Sequence, residues 1–197
     1  MPNEIRRQIS DPKLLRALAD PIRYRILTHL MAVGPRTASQ CAEVVGATPS
    51  NCSYHLRELA RYGLVERVPA GDASPTDGRE RPWRPSVTGL TQEIPQNAAA
   101  DPVGALAHRQ LLHVGIDDDA TLAHAAVDLH DELQSDWQAA ETMGTFGLRL
   151  TPRELTRVAA KIDGLLRPYI GLTREDAPAD ARSVHVAFRA FRRPDDR

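Results

Sequence analysis

Apolar residues recur at helical spacing along much of this chain, and the recurrence is clearest in residues 48–64. Thr48 is a suitable N-cap and Gly63 suits the left-handed position just beyond the last turn, so both ends of a helix are marked. One side of this helix is apolar, with residues at i, i+4 and i+7: Cys52, Leu56 and Leu59. The pattern therefore predicts a helix that buries this side.

The opposite side of the same helix carries hydrogen-bonding and cationic side chains. A rotation of about 100° per residue places Ser50, Tyr54, Arg57 and Arg61 opposite the apolar stripe, with Asn51 and Ser53 on its flanks. A helix that only covers a core more often carries Glu and Lys here, because they support it through i,i+4 pairs. The DNA major groove offers the donor and acceptor edges that this face is suited to recognise.

The flanking segments predict a helix-turn-helix unit followed by a β-hairpin, or wing. Residues 37–46 form a shorter amphipathic helix that ends at Gly46, and a short turn joins it to the 48–64 helix. Residues 64–68 alternate as a strand does, and after a loop rich in Gly, Pro, Asp and Ser, residues 81–87 can return as the partner strand.

Two further helices are predicted upstream, and cations flank the wing loop. Asp11 and Asp20 are each followed by Pro, which marks the starts of two apolar helices, and Gly34 ends the second. Arg79, Arg81 and Arg84 flank the loop and are candidates for contact with phosphates or the minor groove; the alternative is that they are solvated arginines on an exposed hairpin.

Four motifs in register carry a resemblance to a known family. They are Leu-Ala-Asp-Pro-Ile-Arg-Tyr-Arg-Ile-Leu at 18–27, Ser-Tyr-His-Leu-Arg-Glu-Leu at 53–59, Gly-Leu-Val at 63–65 and Gly-Arg-Glu-Arg-Pro-Trp-Arg at 78–84. Together they resemble the ArsR-type winged helix-turn-helix transcriptional regulators, in a variety typical of actinobacteria, over roughly residues 11–90. The resemblance implies that the first helix packs against a partner subunit and that the second supports the recognition helix, residues 48–62.

The second half of the chain has its own pattern of helices and strands. A helix over residues 102–114 leads into a longer one over 117–143, and Thr151 with Glu154 forms a capping box that opens a third. Residues 144–150 alternate as a strand, and residues 183–192 alternate as its partner. These signals predict helices with a small antiparallel sheet.

The predicted fold class is therefore mainly α with a small β component (α+β). We expect a winged helix-turn-helix DNA-binding domain over residues 1–90, a linker over 91–101, a C-terminal domain for dimerisation over 102–193, and a disordered tail over 194–197. An effector bound by the C-terminal domain is an open alternative, since its aromatic residues could line a cavity although they are by default core: Trp137, Phe146, Tyr169 and Phe188.

Charge supports an anionic partner for the first half only. The net charge of −1 is the sum of +4 over residues 1–90, from 13 basic and 9 acidic residues, and −5 over residues 91–197, from 12 basic and 17 acidic residues.

No apolar run approaches the ~20 residues that a membrane span needs. Without a signal-peptide pattern, and with two cysteines on predicted buried faces, a cytoplasmic protein is the expectation.

Metal binding and catalysis have little support in the sequence. Cys41 and Cys52 lie on predicted buried helix faces, and soft metals need two or three convergent thiolates. Other pairs of candidate ligands lie on polar faces or at poor spacing: His124 with Asp128 and Asp131, and His108 with His113. No nucleophile elbow, phosphate loop or Cys-His pair is present, so we expect no cofactor, no metal and no enzymatic activity.

The preferred function is a homodimeric, sequence-specific DNA-binding transcriptional regulator that acts on an inverted-repeat operator. The candidate base or near-base contacts are Ser50, Asn51, Ser53, Tyr54 and Arg57, and the candidate phosphate contacts are Arg61, Arg79, Arg81 and Arg84. The first alternative is a winged helix used as a protein–protein interaction module without sequence-specific DNA binding. The second, an enzyme carried by residues 102–197, lacks any recognisable constellation of catalytic groups.

Overall fold

A computed structural model describes residues 6–69, 80–92, 101–172, 174 and 176–195. The chain divides into two units. The first unit comprises Met1–Asp118 with Ile170–Val184, and the second comprises Asp119–Tyr169 with His185–Arg197. The tail predicted over 194–197 extends beyond the described residues at its last two positions.

The first unit is a bundle of short helices with two small sheets. Its elements in chain order are β1 (Arg6–Ile9), α1 (Pro12–Leu18), α2 (Pro21–Val33), α3 (Ala38–Val45), α4 (Pro49–Arg61), β2 (Val65–Arg67), β3 (Trp83–Pro85), β4 (Gly89–Gln92) and the first part of α5 (Pro102–Leu129). This order confirms the predicted fold class of a mainly helical protein with an N-terminal winged helix-turn-helix.

The predicted helix starts are confirmed by side-chain caps. Asp20 Oδ1 accepts a hydrogen bond from the Arg23 N–H at 2.9 Å at the start of α2, and Thr48 Oγ1 accepts one from the Asn51 N–H at 3.2 Å at the start of α4. α3 begins with a capping box between Thr37 and Gln40. Caps of this kind satisfy N–H groups that have no partner inside the helix.

A single apolar cluster joins these helices. α4 buries Cys52, Leu56 and Leu59 against α2 and α3, where Ile26, Leu27, Leu30 and Cys41 are fully buried. Removing apolar surface from water stabilises the unit by roughly 25 cal/mol per Å². The predicted apolar stripe of α4 is therefore the side that packs, as its spacing indicated.

Two short sheets complete the first unit. β2 and β3 pair antiparallel, with Val65 opposite Pro85 and Arg67 opposite Trp83, which confirms the predicted wing strands. β1 and β4 pair parallel, from Arg6 opposite Gly89 to Ile9 opposite Gln92, and this pair was not predicted. β4 includes the first two residues of the predicted linker 91–101, and residues 93–100 lie outside the described part of the chain.

The predicted break between two helices near residue 115 is wrong. α5 is one continuous helix from Pro102 to Leu129. Glycine lowers helix stability by only about 1 kcal/mol, and Gly115 allows α2 to approach closely, because a Cβ there would lie 3.0 Å from Tyr24 Oη. An ion pair 3.7 Å long between Arg25 Nε and Asp118 Oδ1 also joins α2 to α5.

The second unit differs more from its prediction. The long helix expected over 117–143 ends at Leu129, and a 3-10 turn (His130–Glu132) and a short helix α6 (Ser135–Ala140) follow. The backbone at Leu133 is extended, which interrupts the helix. α7 (Pro152–Leu166) begins at the predicted capping box, where the Thr151 N–H donates to Glu154 Oε2 at 2.8 Å.

The small sheet predicted in the C-terminal half is not formed. Residues 144–150 and 183–192 have no regular secondary structure, and neither segment has a strand partner among the described residues. The prediction of two paired strands from the alternation of apolar and polar side chains is therefore wrong for the described residues. As to membranes, none of the helices in the described part of the chain combines the length and apolarity of a spanning segment.

One buried histidine makes the stability of the first unit depend on pH. His108 of α5 is 3% exposed, and neither ring nitrogen has a hydrogen-bond partner among the described residues. Burial lowers the pKa of His108 from its ordinary value of 6.5, so the folded protein favours the neutral ring. The unfolded chain then binds more protons near and below pH 6.5, and stability falls as the pH falls through that range.

We expect His108→Leu to weaken this pH dependence, because the variant keeps an apolar group of similar size and cannot be protonated. Denaturant unfolding at pH 7.5, 6.5 and 5.5 measures this dependence as the change in the free energy of unfolding with pH. His113→Leu, on the exposed side of the same helix, is the control and is expected to keep the slope of the unchanged protein. An equal slope in His108→Leu and the unchanged protein would contradict the assignment.

Candidate nucleic-acid interface

The side of α4 that faces away from the core is open to solvent. Cys52, His55, Leu56 and Leu59 are buried, while the polar residues on the remaining surface are exposed or half-buried. Tyr54 is 51% exposed although it is a large aromatic residue. An exposed aromatic ring beside cations and small hydroxyl and amide groups gives this face both donors and a flat apolar surface.

Asp20 links the cap of α2 to the buried side of α4. Its Oδ1 caps α2 through the Arg23 N–H and lies 3.8 Å from Nδ1 of His55. Burial lowers the pKa of His55, and the carboxylate of Asp20 partly opposes this shift. The ring of Tyr54 meets the His55 ring edge to face at a centroid distance of 5.3 Å. His55 therefore has a packing position beneath the exposed face.

The wing is attached to the start of α3 by two sets of contacts. Backbone hydrogen bonds join Arg36 and Trp83 in both directions, at 2.8 and 3.0 Å. Glu80 accepts hydrogen bonds from the Ala38 N–H at 3.1 Å and from the Ser39 hydroxyl at 2.7 Å. A carboxylate is favoured at the N-terminal end of a helix, where unpaired N–H groups create a partial positive charge. Glu80 thus fixes the base of the wing beside α3.

Three arginines, which we call the basic cluster, lie near enough for their charges to act on Arg67: Arg57 of α4, and Arg67 and Arg81 of the wing. Desolvation lowers the pKa of Arg67, and the positive charges of Arg81 and Arg57 lower it further, against the opposite effect of Glu80. The Arg67 guanidinium lies 4.1 Å from the centroid of the Trp83 ring. Such a group of cations attracts an anionic partner, since each charge raises the local positive potential.

The wing arginines use part of their donor capacity within the hairpin. Arg81 donates to the Val68 carbonyl at 2.8 Å, and Arg67 donates to the Arg81 carbonyl. Arg84 forms a 2.8 Å ion pair with Glu66 across the strands. A guanidinium has five N–H donors, so these contacts orient each side chain and leave further donors.

The structure places the candidate residues on one helix and one hairpin. On α4, Ser50, Asn51, Tyr54, Arg57 and Arg61 are exposed and Ser53 is half-buried, and Arg61 forms a 2.9 Å ion pair with Glu58. On the wing, Arg81 is exposed and Arg84 is half-buried. Arg79 lies outside the described residues.

Two residues of this site were missed from the sequence. Arg67 was treated only as part of a strand, although it is the third cation of the basic cluster. Glu80 lies between the wing arginines and was passed over, although its carboxylate accepts from the Ala38 N–H and the Ser39 hydroxyl at the start of α3. The available signal for Arg67 was a positive charge on a short strand of the wing. The signal for Glu80 was a single acidic residue among arginines.

The residues considered for metal or effector binding do not lie on the exposed face of α4 or on the wing. Cys41 and Cys52 are both buried, and burial, together with the neighbouring Cys52 thiol, raises the pKa of Cys41 to about 11. Within the described residues, no group of three or more His, Cys, Asp or Glu side chains is arranged to hold a metal ion. Phe146, Tyr169 and Phe188 are exposed to solvent, so the expectation that they form core is wrong, whereas Trp137 is half-buried.

Comparison with known proteins agrees with this geometry in the first unit. Residues 18–68 match the family described as a helix-turn-helix domain. No curated protein matches the chain. Similar solved structures include wild-type MarR from E. coli in its apo form, with 18% identity, 78% of this chain and 87% of that chain covered, and a TM-score of 0.30. RV1404 from Mycobacterium tuberculosis gives 18% identity, coverage of 78% and 84%, and a TM-score of 0.29.

The matched residues correspond to a defined part of the fold. They run from the end of α1 through α2, α3 and α4 to the end of the first wing strand. Residues 18–68 therefore match a helix-turn-helix domain, and the β2–β3 hairpin that follows α4 gives it the winged form.

Proposed function

We propose that this protein is a homodimeric, sequence-specific DNA-binding transcriptional regulator of the ArsR type. The observation that carries the proposal is the exposed polar face of α4, because the opposite side of this helix is buried in the core. The motifs shared with the ArsR-type regulators support the subfamily. The absence of a membrane-spanning pattern in the described helices is compatible with a role on DNA.

In this proposal α4 lies in the major groove and the wing contacts the flanking backbone. Ser50, Asn51, Ser53, Tyr54 and Arg57 approach base edges. Phosphates are contacted by Arg61, Arg81 and Arg84 as expected, by Arg79 beyond the described residues, and also by Arg67, which joins Arg57 and Arg81 in the basic cluster. Contacts to phosphate position the protein, and contacts to bases give it sequence preference.

The proposed dimer determines the form of the operator. A two-fold pair of recognition helices reads an inverted repeat whose half-sites are separated by about one helical turn, ~10 bp. α5 exposes apolar side chains within the first unit, including Val103, Leu106 and Ile116, and such residues are typical of a surface that is covered in an assembly. Selection from random duplex DNA tests sequence-specific binding and the form of the operator. An inverted repeat is expected, and a lack of enriched sequences would contradict the proposal.

Salt dependence separates this function from that of a protein-interaction module. Binding through phosphate contacts releases counterions, so affinity for the selected duplex should fall steeply between 50 and 200 mM salt. A module without DNA function would show only weak binding with no preference for the selected sequence over a scrambled duplex. That second result would favour the protein–protein alternative.

Arg57→Ala should weaken binding to the selected operator by about 1–3 kcal/mol and relax its sequence preference, because Arg57 projects from the exposed side of α4 at the edge of the basic cluster. Fluorescence anisotropy with the operator and with single-base variants measures both effects. Arg16→Ala removes the same charge from the exposed surface of α1 and serves as the matched control. Unaltered affinity and selectivity of Arg57→Ala would show that α4 does not read bases.

Glu80→Ala should weaken operator binding by about 1 kcal/mol without changing the preferred sequence, because the wing loses its attachment to α3 while α4 keeps its contacts. Hydrogen exchange of the Trp83 amide, which donates to Arg36, is expected to speed up in the same variant. Glu43→Ala, an exposed acid on α3, is the control for charge. If the Trp83 amide of Glu80→Ala stayed as protected as in the control, Glu80 would not hold the wing.

A further inference from the structure

The arginines of the candidate interface differ in how many of their donors are already used. On α4, Arg61 Nη1 donates to Glu58 Oε1 at 2.9 Å, and the wing arginines donate to carbonyl or carboxylate oxygens of the hairpin. Arg57 is exposed, and no hydrogen bond or ion pair joins its guanidinium to another described residue. All five N–H donors of Arg57 are therefore available to a partner.

The position of Arg57 on α4 favours a base over a phosphate as that partner. The helix runs from Pro49 to Arg61, so Arg57 lies away from both of its ends. A rotation of about 100° per residue places Arg57 within about 50° of the direction opposite the buried stripe. Side chains on one face of a recognition helix reach base edges in the major groove. An arginine there matches guanine, whose O6 and N7 accept two parallel N–H groups.

Tyr54 places an aromatic ring on the same face. Its side chain is 51% exposed, and its hydroxyl makes no hydrogen bond among the described residues. The ring meets that of the buried His55 edge to face, with an interplanar angle of 71° and a centroid distance of 5.3 Å. This contact anchors the Tyr54 ring and leaves apolar surface uncovered. In the major groove the apolar group that could cover it is the C5-methyl of thymine.

Tyr54 and Arg57 are neighbours on the helix surface. Residues three apart on a helix have Cβ atoms about 5–6 Å apart and differ by about 4.5 Å along the axis. Successive base pairs of a duplex are separated by about 3.4 Å. When α4 lies along the groove, the two side chains therefore meet neighbouring base pairs.

We propose that Tyr54 and Arg57 form the specificity-determining pair of α4 and recognise a thymine and a guanine in neighbouring base pairs of each operator half-site. Tyr54 contacts the thymine methyl through its ring, and Arg57 donates to O6 and N7 of the guanine. Contacts from Arg61 and the wing to phosphates add affinity without this preference. The inference rests on the proposed function and deepens it by naming the two bases.

Base analogues in the duplex selected from random DNA test each contact separately. Deoxyuridine removes only the methyl of one thymine, and 7-deazaguanine removes only the N7 acceptor of one guanine. One thymine position, replaced in both half-sites, should weaken binding roughly tenfold. One guanine position in a neighbouring base pair should weaken it by about tenfold or more. Fluorescence anisotropy at fixed salt measures both ratios.

Variants of the full-length protein assign each effect to a side chain. Tyr54→Ala should abolish the deoxyuridine effect and keep the 7-deazaguanine effect, and Arg57→Ala should do the reverse. Each ratio compares two duplexes with one variant, so a general loss of affinity cancels. Arg61→Ala removes a cation from the same helix and is the matched control, expected to keep both effects.

Conservative variants separate the proposed contacts from a general role of these residues in the helix. Tyr54→Phe should keep the deoxyuridine effect, because the methyl contact uses the ring and not the hydroxyl. Arg57→Lys keeps the charge but lacks the planar fork, so it should lose most of the 7-deazaguanine effect while binding more tightly than Arg57→Ala.

Several results would overturn the inference while leaving the proposed function intact. They are a selected duplex in which no thymine methyl affects affinity, a deoxyuridine effect that persists in Tyr54→Ala, and a 7-deazaguanine effect that persists in Arg57→Ala. A sensitive guanine more than one base pair from the sensitive thymine would also contradict the pair. A selection that enriches no sequence would contradict the proposed function itself, and this inference with it.

Discussion

The burial of one side of α4 determines what the other side can do. Cys52, Leu56 and Leu59 are fully buried against α2 and α3, so the rotation of the helix about its axis is fixed. Turning α4 by one residue, about 100°, would bring Ser53 or Arg57 toward the core and leave a buried charge without a partner. The free energy required to bury an unpaired charge is several times larger than the free energy of a typical surface interaction. The polar face therefore stays outward and keeps one orientation.

The wing depends on the same packing through electrostatic contacts. Glu80 and the Arg36–Trp83 backbone pair attach the hairpin to the start of α3, which itself packs on α4. Positive charges from α4 and the hairpin then converge in the basic cluster. The repulsion among these cations is tolerated because Glu80 lies among them and because the Arg67 guanidinium stacks on Trp83. An anionic partner would relieve the remaining repulsion.

Features with local signals were predictable from the sequence, and features that depend on distant residues were not. Asp20 and Thr48 cap helices through N–H groups three residues away, so the starts of α2 and α4 were clear. The β2–β3 hairpin was also local in origin. The parallel pair of β1 and β4 joins residues more than 80 positions apart and has no local signature. Two helices were predicted where α5 is continuous, because the close approach of Gly115 to Tyr24 is a property of packing.

The C-terminal half shows a different limit of sequence patterns. Alternation over residues 144–150 and 183–192 predicts two strands, but neither forms among the described residues. Alternation specifies that a strand needs a partner and a covered face, but the same spacing serves pairing within a chain and between chains. In the first unit the core is complete and the pattern finds its partner locally. In the second unit no described residue is buried, so the apolar side of each segment lacks the cover that would stabilise a strand there.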